Sequence, residues 1–366
     1  MNRDQPLFSV VAGARPNFMK IGPVIRALKG FADVELVHTG QHYDENMSRV
    51  FFEDLRLPRP DVYMGVGSGS HGEQTGRIMI EFEKVLAERR PQLILVVGDV
   101  NSTAACTLVA VKMGVATGHV EAGLRSFDRE MPEEINRMVT DILSDLLFTT
   151  SPEAETNLLR EGVDPDKIHF VGNVMIDSQN FYAEEAERST ILDDLGLEPK
   201  RYGLVTLHRP SNVDDLSTLQ PILDALVTIG ADCPLLFPVH PRTRNVLESA
   251  GVDIPAHRLR LVDPVGHLDF SKLMRYSAIV LTDSGGIQEE TTALGIPCLT
   301  IRENTERPIT CEQGTNTLVG MDRDRIVSEA GRVLSEGVRG ARIPDAWDGH
   351  AAERIADVIA AWFNER

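Results

Sequence analysis

Leu7-Phe8-Ser9-Val10-Val11-Ala12-Gly13-Ala14-Arg15-Pro16 opens on six residues of apolar and β-branched character and closes on a small-residue turn. Helical spacing of apolar side chains follows over 18–30. A buried strand that feeds directly into a helix is the first half of a βαβ unit, so this stretch points to a parallel sheet covered by helices. The apolar run is short, meets Arg15 at once and has no small-residue cleavage pattern behind it, which separates it from a secretory signal.

Working outward, the same rhythm repeats. Strands are expected at 34–39, 93–97, 116–120 and 146–149, with helices over 44–54, 73–88, 102–113 and 132–144. The acidic helical stretch 177–195, mostly polar in its fill, reads as the crossing to a second domain. Beyond it, strands at 202–206, 234–239, 259–261, 278–281 and 297–301 alternate with helices near 216–229, 243–250, 268–276 and 286–294. A final helix carries Ile355, Val358, Ile359 and Trp362 on one face and must pack on something. The expectation is two Rossmann-like α/β domains, 1–175 and 176–349, with 350–366 returning to the N-terminal one; 366 residues suit that count. Open α/β sheets bind ligands outside the carboxyl ends of their strands, so two such domains facing a central cleft direct attention to the loops after strands.

Composition narrows the function classes. Lys plus Arg number 37 and Asp plus Glu 55, a net charge of −18 that would repel a phosphate backbone, so no nucleic-acid partner is expected. Hydrophobic content of 42% and charged content of 25% are ordinary for a folded, soluble chain. No run approaches the roughly 18 apolar residues that span a bilayer, so no membrane partner is expected either. Cys106, Cys233, Cys298 and Cys311 stand singly, without a C-x-x-C pair, which suits free thiols in a reducing cytoplasm.

Four constellations carry chemistry. At Gly13-Ala14-Arg15-Pro16-Asn17 a small-residue turn opens a helix containing Lys20, offering backbone N–H groups and two cations to an anion; an ordinary β–α turn is the plainer alternative. It is neither a G-x-G-x-x-G fingerprint nor a P-loop. Three carboxylates recur at strand or helix edges: Asp99 and Glu121 just past apolar strands, Glu133 at a helix start after Pro132. Gathered at one site they could divide acid and base work, although Asp99 also suits a helix N-cap and Glu133 a dipole-stabilised first turn. His208-Arg209 follows the first strand of the second half, and Pro238-Val239-His240-Pro241-Arg242 repeats the placement, with no metal-ligand spacing such as H-E-x-x-H. Finally, Asp283-Ser284-Gly285-Gly286-Ile287-Gln288-Glu289-Glu290 follows a strand and opens a helix, as a pyrophosphate site with a ribose-binding glutamate would. Arg15, Lys20, His208, Arg209, His240, Arg242, Arg302 and Arg307 all fall at expected strand ends of an acidic chain, which implies a small anionic ligand.

Taken in order, Gly13-Ala14-Arg15-Pro16, Gly40-Gln41-His42, Gly98-Asp99, His119-Val120-Glu121-Ala122-Gly123-Leu124-Arg125, Pro132-Glu133-Glu134, Gly172-Asn173, His208-Arg209, Pro238-Val239-His240, the 283–290 run and Thr305-Glu306-Arg307-Pro308 cover nearly the whole chain. Together they resemble the UDP-N-acetylglucosamine 2-epimerases, in particular the non-hydrolysing bacterial type. The resemblance implies a GT-B-type pair of Rossmann-like domains, a homodimer, no cofactor and no metal. It also implies interconversion of UDP-GlcNAc and UDP-ManNAc through a 2-acetamidoglucal and enzyme-bound UDP. Asp99, Glu121, Glu133 and His208 match the family's catalytic groups. Arg15, His240, Ser284, Gly285, Gly286 and Glu290 match its UDP-binding positions, and Phe270 stands where a ring meets uracil; Lys20 and Arg209 join them as substrate-binding cations. Many bacterial members are activated by their own substrate through positions matching Gln41, Arg77, Glu133, Arg209 and His240. Here Asp44 stands where those members carry a second Gln, and Pro210-Ser211-Asn212 where many have Arg-Glu-Asn. A carboxylate near a pyrophosphate repels it, so catalysis without substrate activation is expected. Rival readings are a hydrolysing epimerase releasing ManNAc, an epimerase of a related UDP-diacetamido-uronic acid, a glycosyltransferase, and a catalytically silent sugar-nucleotide sensor.

Overall fold

The computed structural model describes residues 5–41, 56–239, 241–249 and 254–365, with the backbone alone at 15, 210, 241, 242, 248 and 249. The helix expected over 44–54, together with Asp44 and His240, lies outside the described residues. The chain divides into two compact units, one formed by Met1–Asn180 with Asp345–Arg366, the other by Phe181–Pro344.

The first unit holds β1 (Leu7–Ala12), β2 (Asp33–His38), β3 (Val62–Tyr63), β4 (Leu93–Val97), β5 (Ala116–Ala122), β6 (Leu146–Thr149) and β7 (Ile168–Phe170) in one sheet of order β3-β2-β1-β4-β5-β6-β7. Every pair in it is parallel. β4 is Leu-Ile-Leu-Val-Val and wholly buried, the continuous apolar run of a strand covered on both faces. Gly118 on β5 leaves room for its neighbours: a Cβ there would stand 2.6 Å from Leu95 Cδ2. The strand order reverses between β1 and β4, which opens a crevice at their carboxyl ends, where the loops at Gly13 and Gly98 emerge.

The helix Ala351–Asn364 belongs to this unit. The Asp177 carboxylate caps it by accepting the N–H groups of Ala351 (3.1 Å) and Ala352 (2.7 Å), Trp347 Nε1 donates to the Thr150 carbonyl (2.9 Å), and the Phe363 ring meets Phe8 edge-on.

The second unit repeats the plan with β8 (Gly203–Thr206), β9 (Leu235–Pro238), β10 (Leu259–Val262), β11 (Ile279–Thr282), β12 (Cys298–Thr300) and β13 (Asn316–Leu318), ordered β10-β9-β8-β11-β12-β13 and parallel. Leu223, Leu226, Phe237 and Leu281 centre one core, and Tyr202, Leu204, Leu273 and Met274 the other.

Two expectations are corrected here. The single helical stretch expected over 177–195 is three short helices, Val174–Phe181, Ala183–Glu187 and Ile191–Leu195. The breaks are held from the helix His267–Tyr276, whose Lys272 Nζ donates to the carbonyls of Glu187 (2.7 Å) and Ser189 (2.9 Å), while Ser189 Oγ donates to Asp269 (2.5 Å). Likewise β5 does not end before Glu121 but runs through it to Ala122.

Candidate active site

In the first unit three loops at the sheet's carboxyl edge meet on Glu121. The register of β5 against β6 shifts between Val120 and Ala122, so Glu121 sits in a bulge, with φ of 71°. A glutamate in the left-handed region is strained and persists only where its surroundings hold it. Its side chain is 2% exposed and forms a salt bridge with Lys20 Nζ, itself 9% exposed. Glu121 is a residue of β5, Lys20 of the helix Arg15–Leu28. Gly98, which ends β4 at φ of 68°, fits between them: a Cβ would stand 3.3 Å from Asn17 Nδ2, 3.5 Å from Glu121 Oε2 and 3.6 Å from Lys20 Nζ.

The turn after β1 is closed on itself. Asn17 Oδ1 accepts the N–H groups of Gly13 (3.2 Å) and Ala14 (2.9 Å), while Asn17 Nδ2 donates to the Val97 carbonyl (3.1 Å). The amides expected to greet an anion are therefore occupied. For Arg15 the side chain lies outside the described residues.

Asp99 is not a helix cap: the helix Asn101–Lys112 has Val100 at its N-cap, and Asp99 instead accepts from Arg137 Nη1 at 3.0 Å. Arg137 also faces Glu134 at 3.3 Å, and Glu134 accepts the N–H groups of Ser126 and Phe127, both at 2.9 Å. Asn136 Nδ2 donates to the Asp99 carbonyl (2.9 Å), tying the same helix, Pro132–Leu143, to the loop after β4. Asp99 and Glu133 share a cavity of about 310 Å³ with Gln41, His71, Gln74 and Asn101. Gln41 is buried and its Oε1 accepts from Ser102 Oγ (2.8 Å), whereas Arg77 pairs with Glu73 on the surface.

Sequence reasoning missed what stands behind these groups. The buried face of Pro132–Leu143 carries Glu134, Arg137 and Asp141, at spacings of three and four, so the helix turns charge inward. Asp141 accepts from His119 Nδ1 (2.6 Å), Gly123 N–H (3.1 Å) and Arg125 (2.7 Å). Burial alone would raise the Asp141 carboxyl, but His119 and Arg125 outweigh it and hold it below its ordinary range. The signal available was that helical spacing of charges on an otherwise core-facing side.

The second unit's groups follow β8 and β11. His208 Nδ1 donates to Asp283 Oδ1 at 2.9 Å, and the imidazole is 58% exposed while Asp283 is fully buried. Asp283 also accepts the N–H groups of His208 (3.0 Å) and Arg209 (2.9 Å) and Asn212 Nδ2 (3.2 Å). Burial pushes the Asp283 carboxyl up, but the His208 ring and these N–H donors prevail and keep it low. An anchored carboxylate thus fixes which imidazole nitrogen faces inward and leaves the other for a ligand.

Gly285 and Gly286 open the helix Gly285–Leu294, whose N-cap residue Ser284 makes no side-chain cap bond. A Cβ at Gly285 would stand 2.6 Å from Arg307 Nη1 and 2.7 Å from Glu306 Oε1, whereas one at Gly286 would meet nothing within 4 Å. Beneath the turn runs a buried chain of alternating charge: Glu289 with Arg307 (2.8 Å), Arg307 with Glu306, and Glu306 with Arg302 (2.8 Å). Arg302 and Arg307, counted from sequence among the cations for an anionic ligand, are thereby committed to carboxylates of their own unit. Glu290 is buried, and its carboxyl is pushed up to about 8 by burial and then by Glu289. Phe270 is half-buried against the core around Tyr202.

A family model described as UDP-N-acetylglucosamine 2-epimerase matches residues 26–360. The chain is 42% identical over 366 aligned positions to the UDP-N-acetylglucosamine 2-epimerase of Methanocaldococcus jannaschii, covering 96% of this chain and 98% of that one. A crystal structure of the M. jannaschii enzyme in complex with UDP-GlcNAc and UDP matches with a TM-score of 0.89 at 40% identity, over 97% and 99% of the two chains. Identity is also 42% to the UDP-2,3-diacetamido-2,3-dideoxy-D-glucuronate 2-epimerase of Pseudomonas aeruginosa, over 96% of this chain and 98% of that one. A UDP-glucosyltransferase from Polygonum tinctorium, 14% identical with a TM-score of 0.62 over 98% and 99% of the chains, shares the fold alone. The architecture of two parallel α/β sheets is of the GT-B kind.

Proposed function

The chain belongs to the UDP-N-acetylglucosamine 2-epimerase family, and we propose that it interconverts UDP-GlcNAc and UDP-ManNAc by losing UDP and adding it back. A base takes the C2 proton while the C1–O bond breaks; the C2–H electron pair forms the C1=C2 bond of a 2-acetamidoglucal, and UDP leaves with the C1–O pair. Re-addition of UDP to C1, with a proton delivered to the other face of C2, completes the epimerisation. Proton transfer from carbon next to a leaving diphosphate needs a base on each face of C2 and a donor for the departing oxygen.

Glu121, strained, dry and paired with Lys20, is the observation that carries this reading. Asp99, held by Arg137, and Glu133 line one cavity and work with Glu121 on C2 in this reading. His208, anchored on Asp283, protonates or stabilises the leaving diphosphate. The open helix start at Ser284, Gly285 and Gly286 takes the diphosphate with Arg209, Glu290 takes the ribose hydroxyls and Phe270 the uracil. Arg15 and His240 complete the UDP set in this reading. It includes a cytoplasmic homodimer without cofactor or metal, and hyperbolic kinetics with no UDP-GlcNAc requirement in the UDP-ManNAc direction.

A time course by NMR with UDP-GlcNAc in D2O tests it. C2-deuterated UDP-ManNAc in equilibrium with UDP-GlcNAc is the expected result; accumulating ManNAc and UDP would make the protein a hydrolysing epimerase, and no exchange would sink the reading. The 42% identity to the Pseudomonas enzyme favours one second reading, a UDP-diacetamido-uronate as substrate. Running that sugar nucleotide in parallel decides by the ratio of kcat/KM.

A further inference from the structure

Behind the carboxylates of the first unit lies a cluster that touches no part of the cavity. Asp141, in the last turn of Pro132–Leu143, is 1% exposed and accepts from three donors: His119 Nδ1, Gly123 N–H and Arg125. His119, also fully buried, uses its other ring nitrogen to donate to the Gly98 carbonyl at 2.9 Å. Both ring nitrogens of His119 are thus engaged, one on the carboxylate and one on the carbonyl. Arg125 is held in turn by Glu161, through Nε at 2.8 Å and Nη2 at 2.6 Å.

The places this cluster grips are the unusual ones. Gly98, just before Asp99, has φ of 68°; Glu121 has 71° and Gly123 has 79°. Gly98 and Gly123 follow their strands in a region glycine enters freely, whereas Glu121 is strained there and must be held by its surroundings. One carboxylate reaches both: directly to Gly123, and through the His119 ring to Gly98.

We propose that Asp141, acting through His119, is a positioning residue that sets the backbone of Gly98 and of the Glu121 bulge together, and so fixes the mutual placement of Asp99 and Glu121. The inference rests on the epimerase reading and adds a residue that acts on the reaction without touching substrate. Misplacing a reacting group by about 1 Å costs roughly 10²-fold in rate.

The test is Asp141→Asn in the full chain beside the wild type. Expected are a roughly 10²-fold fall in kcat for C2 exchange, KM for UDP-GlcNAc within about twofold, and unchanged UDP affinity. Wild-type kcat in a folded Asp141→Asn protein overturns the proposal, as does a loss in which kcat and UDP affinity fall while KM rises with them, since that is general loosening. If the variant does not fold, His119→Gln decides: its amide reaches towards Gly98 but gives Asp141 no imidazole donor, and it must lose at least about tenfold in kcat at constant KM, failing which the proposal falls. A wild type that exchanges no C2 proton removes the epimerase reading itself, a failure distinct from an active wild type matched by an equally active variant.

Discussion

Lys20, Glu121 and Arg137 of the first unit have side chains 9%, 2% and 2% exposed, whereas the His208 imidazole of the second is 58% exposed over a fully buried Asp283. Both units use the same strand order and the same sheet edge. One hides its charges in pairs, in a dry space where electrostatic interactions are strong and geometry is fixed by neighbours. The other buries the Asp283 anchor and the ion chain from Glu289 to Arg302, and presents an exposed ring beside an open helix start. The difference suits a division in which the first unit does proton chemistry on carbon and the second loads and releases a nucleotide diphosphate.

The largest break in that comparison should come from Glu121→Gln. Turnover measured as C2–deuterium exchange is expected to fall by about 10³-fold or more while calorimetric UDP affinity stays unchanged. A parallel fall in UDP affinity would mean that the first unit also loads the nucleotide. Next, Asp283→Asn should lower kcat by roughly 10²-fold to 10³-fold by releasing the His208 ring, and His208→Asn combined with it should cost little more, because the two act as one device. Additive losses would show that the anchor works on something else.

A smaller, sharper contrast separates the two glycines. Gly285→Ala drives a methyl group against the Arg307–Glu306 pair and should weaken UDP binding about tenfold, whereas Gly286→Ala points into open space and should alter it less than about twofold. Equal effects would make the helix start itself, not the ion chain beneath it, the sensitive part.

The smallest effect concerns stability. Glu290 has its folded-state carboxyl raised to about 8 from an ordinary 4.5. Its proton is held more tightly when folded, so that contribution is fully present below about pH 4.5 and is lost as pH rises through about 8. Glu290→Gln should therefore raise Tm by a few degrees at pH 9 relative to wild type and change it little at pH 5. A fall at pH 9 would show that the carboxylate has stabilising partners that outweigh its burial and the charge of Glu289.

Much of the scaffold could be read from apolar rhythm alone. β1, β4 and β6 are short buried runs with punctuation at both ends, and the structure places them at the expected residues. β3 and β13, of two and three residues, are too short to carry a period. At the site, residue type and strand-end position singled out Asp99, Glu121 and His208. Their partners stayed hidden because the contacts join residues far apart: Lys20 to Glu121, Arg137 to Asp99, Asp283 to His208. Nor does a sequence reveal a backbone angle. Val-Glu-Ala reads as strand, and only the register shift against β6 shows that Glu121 is turned into the left-handed region. For Arg302 and Arg307 the sign of the charge was plain while its counter-charge was not.

The Asp177 cap on the helix Ala351–Asn364 has a consequence for how the protein is made. The helix that finishes the first unit is translated only after the whole of Phe181–Pro344 has been synthesised. Domains fold as units during synthesis, so the second unit can complete its core while the first still exposes the surface of Phe8 that Phe363 will cover. The nascent chain thus assembles the half proposed to load the nucleotide first, and the half proposed to handle the carbon proton becomes whole last.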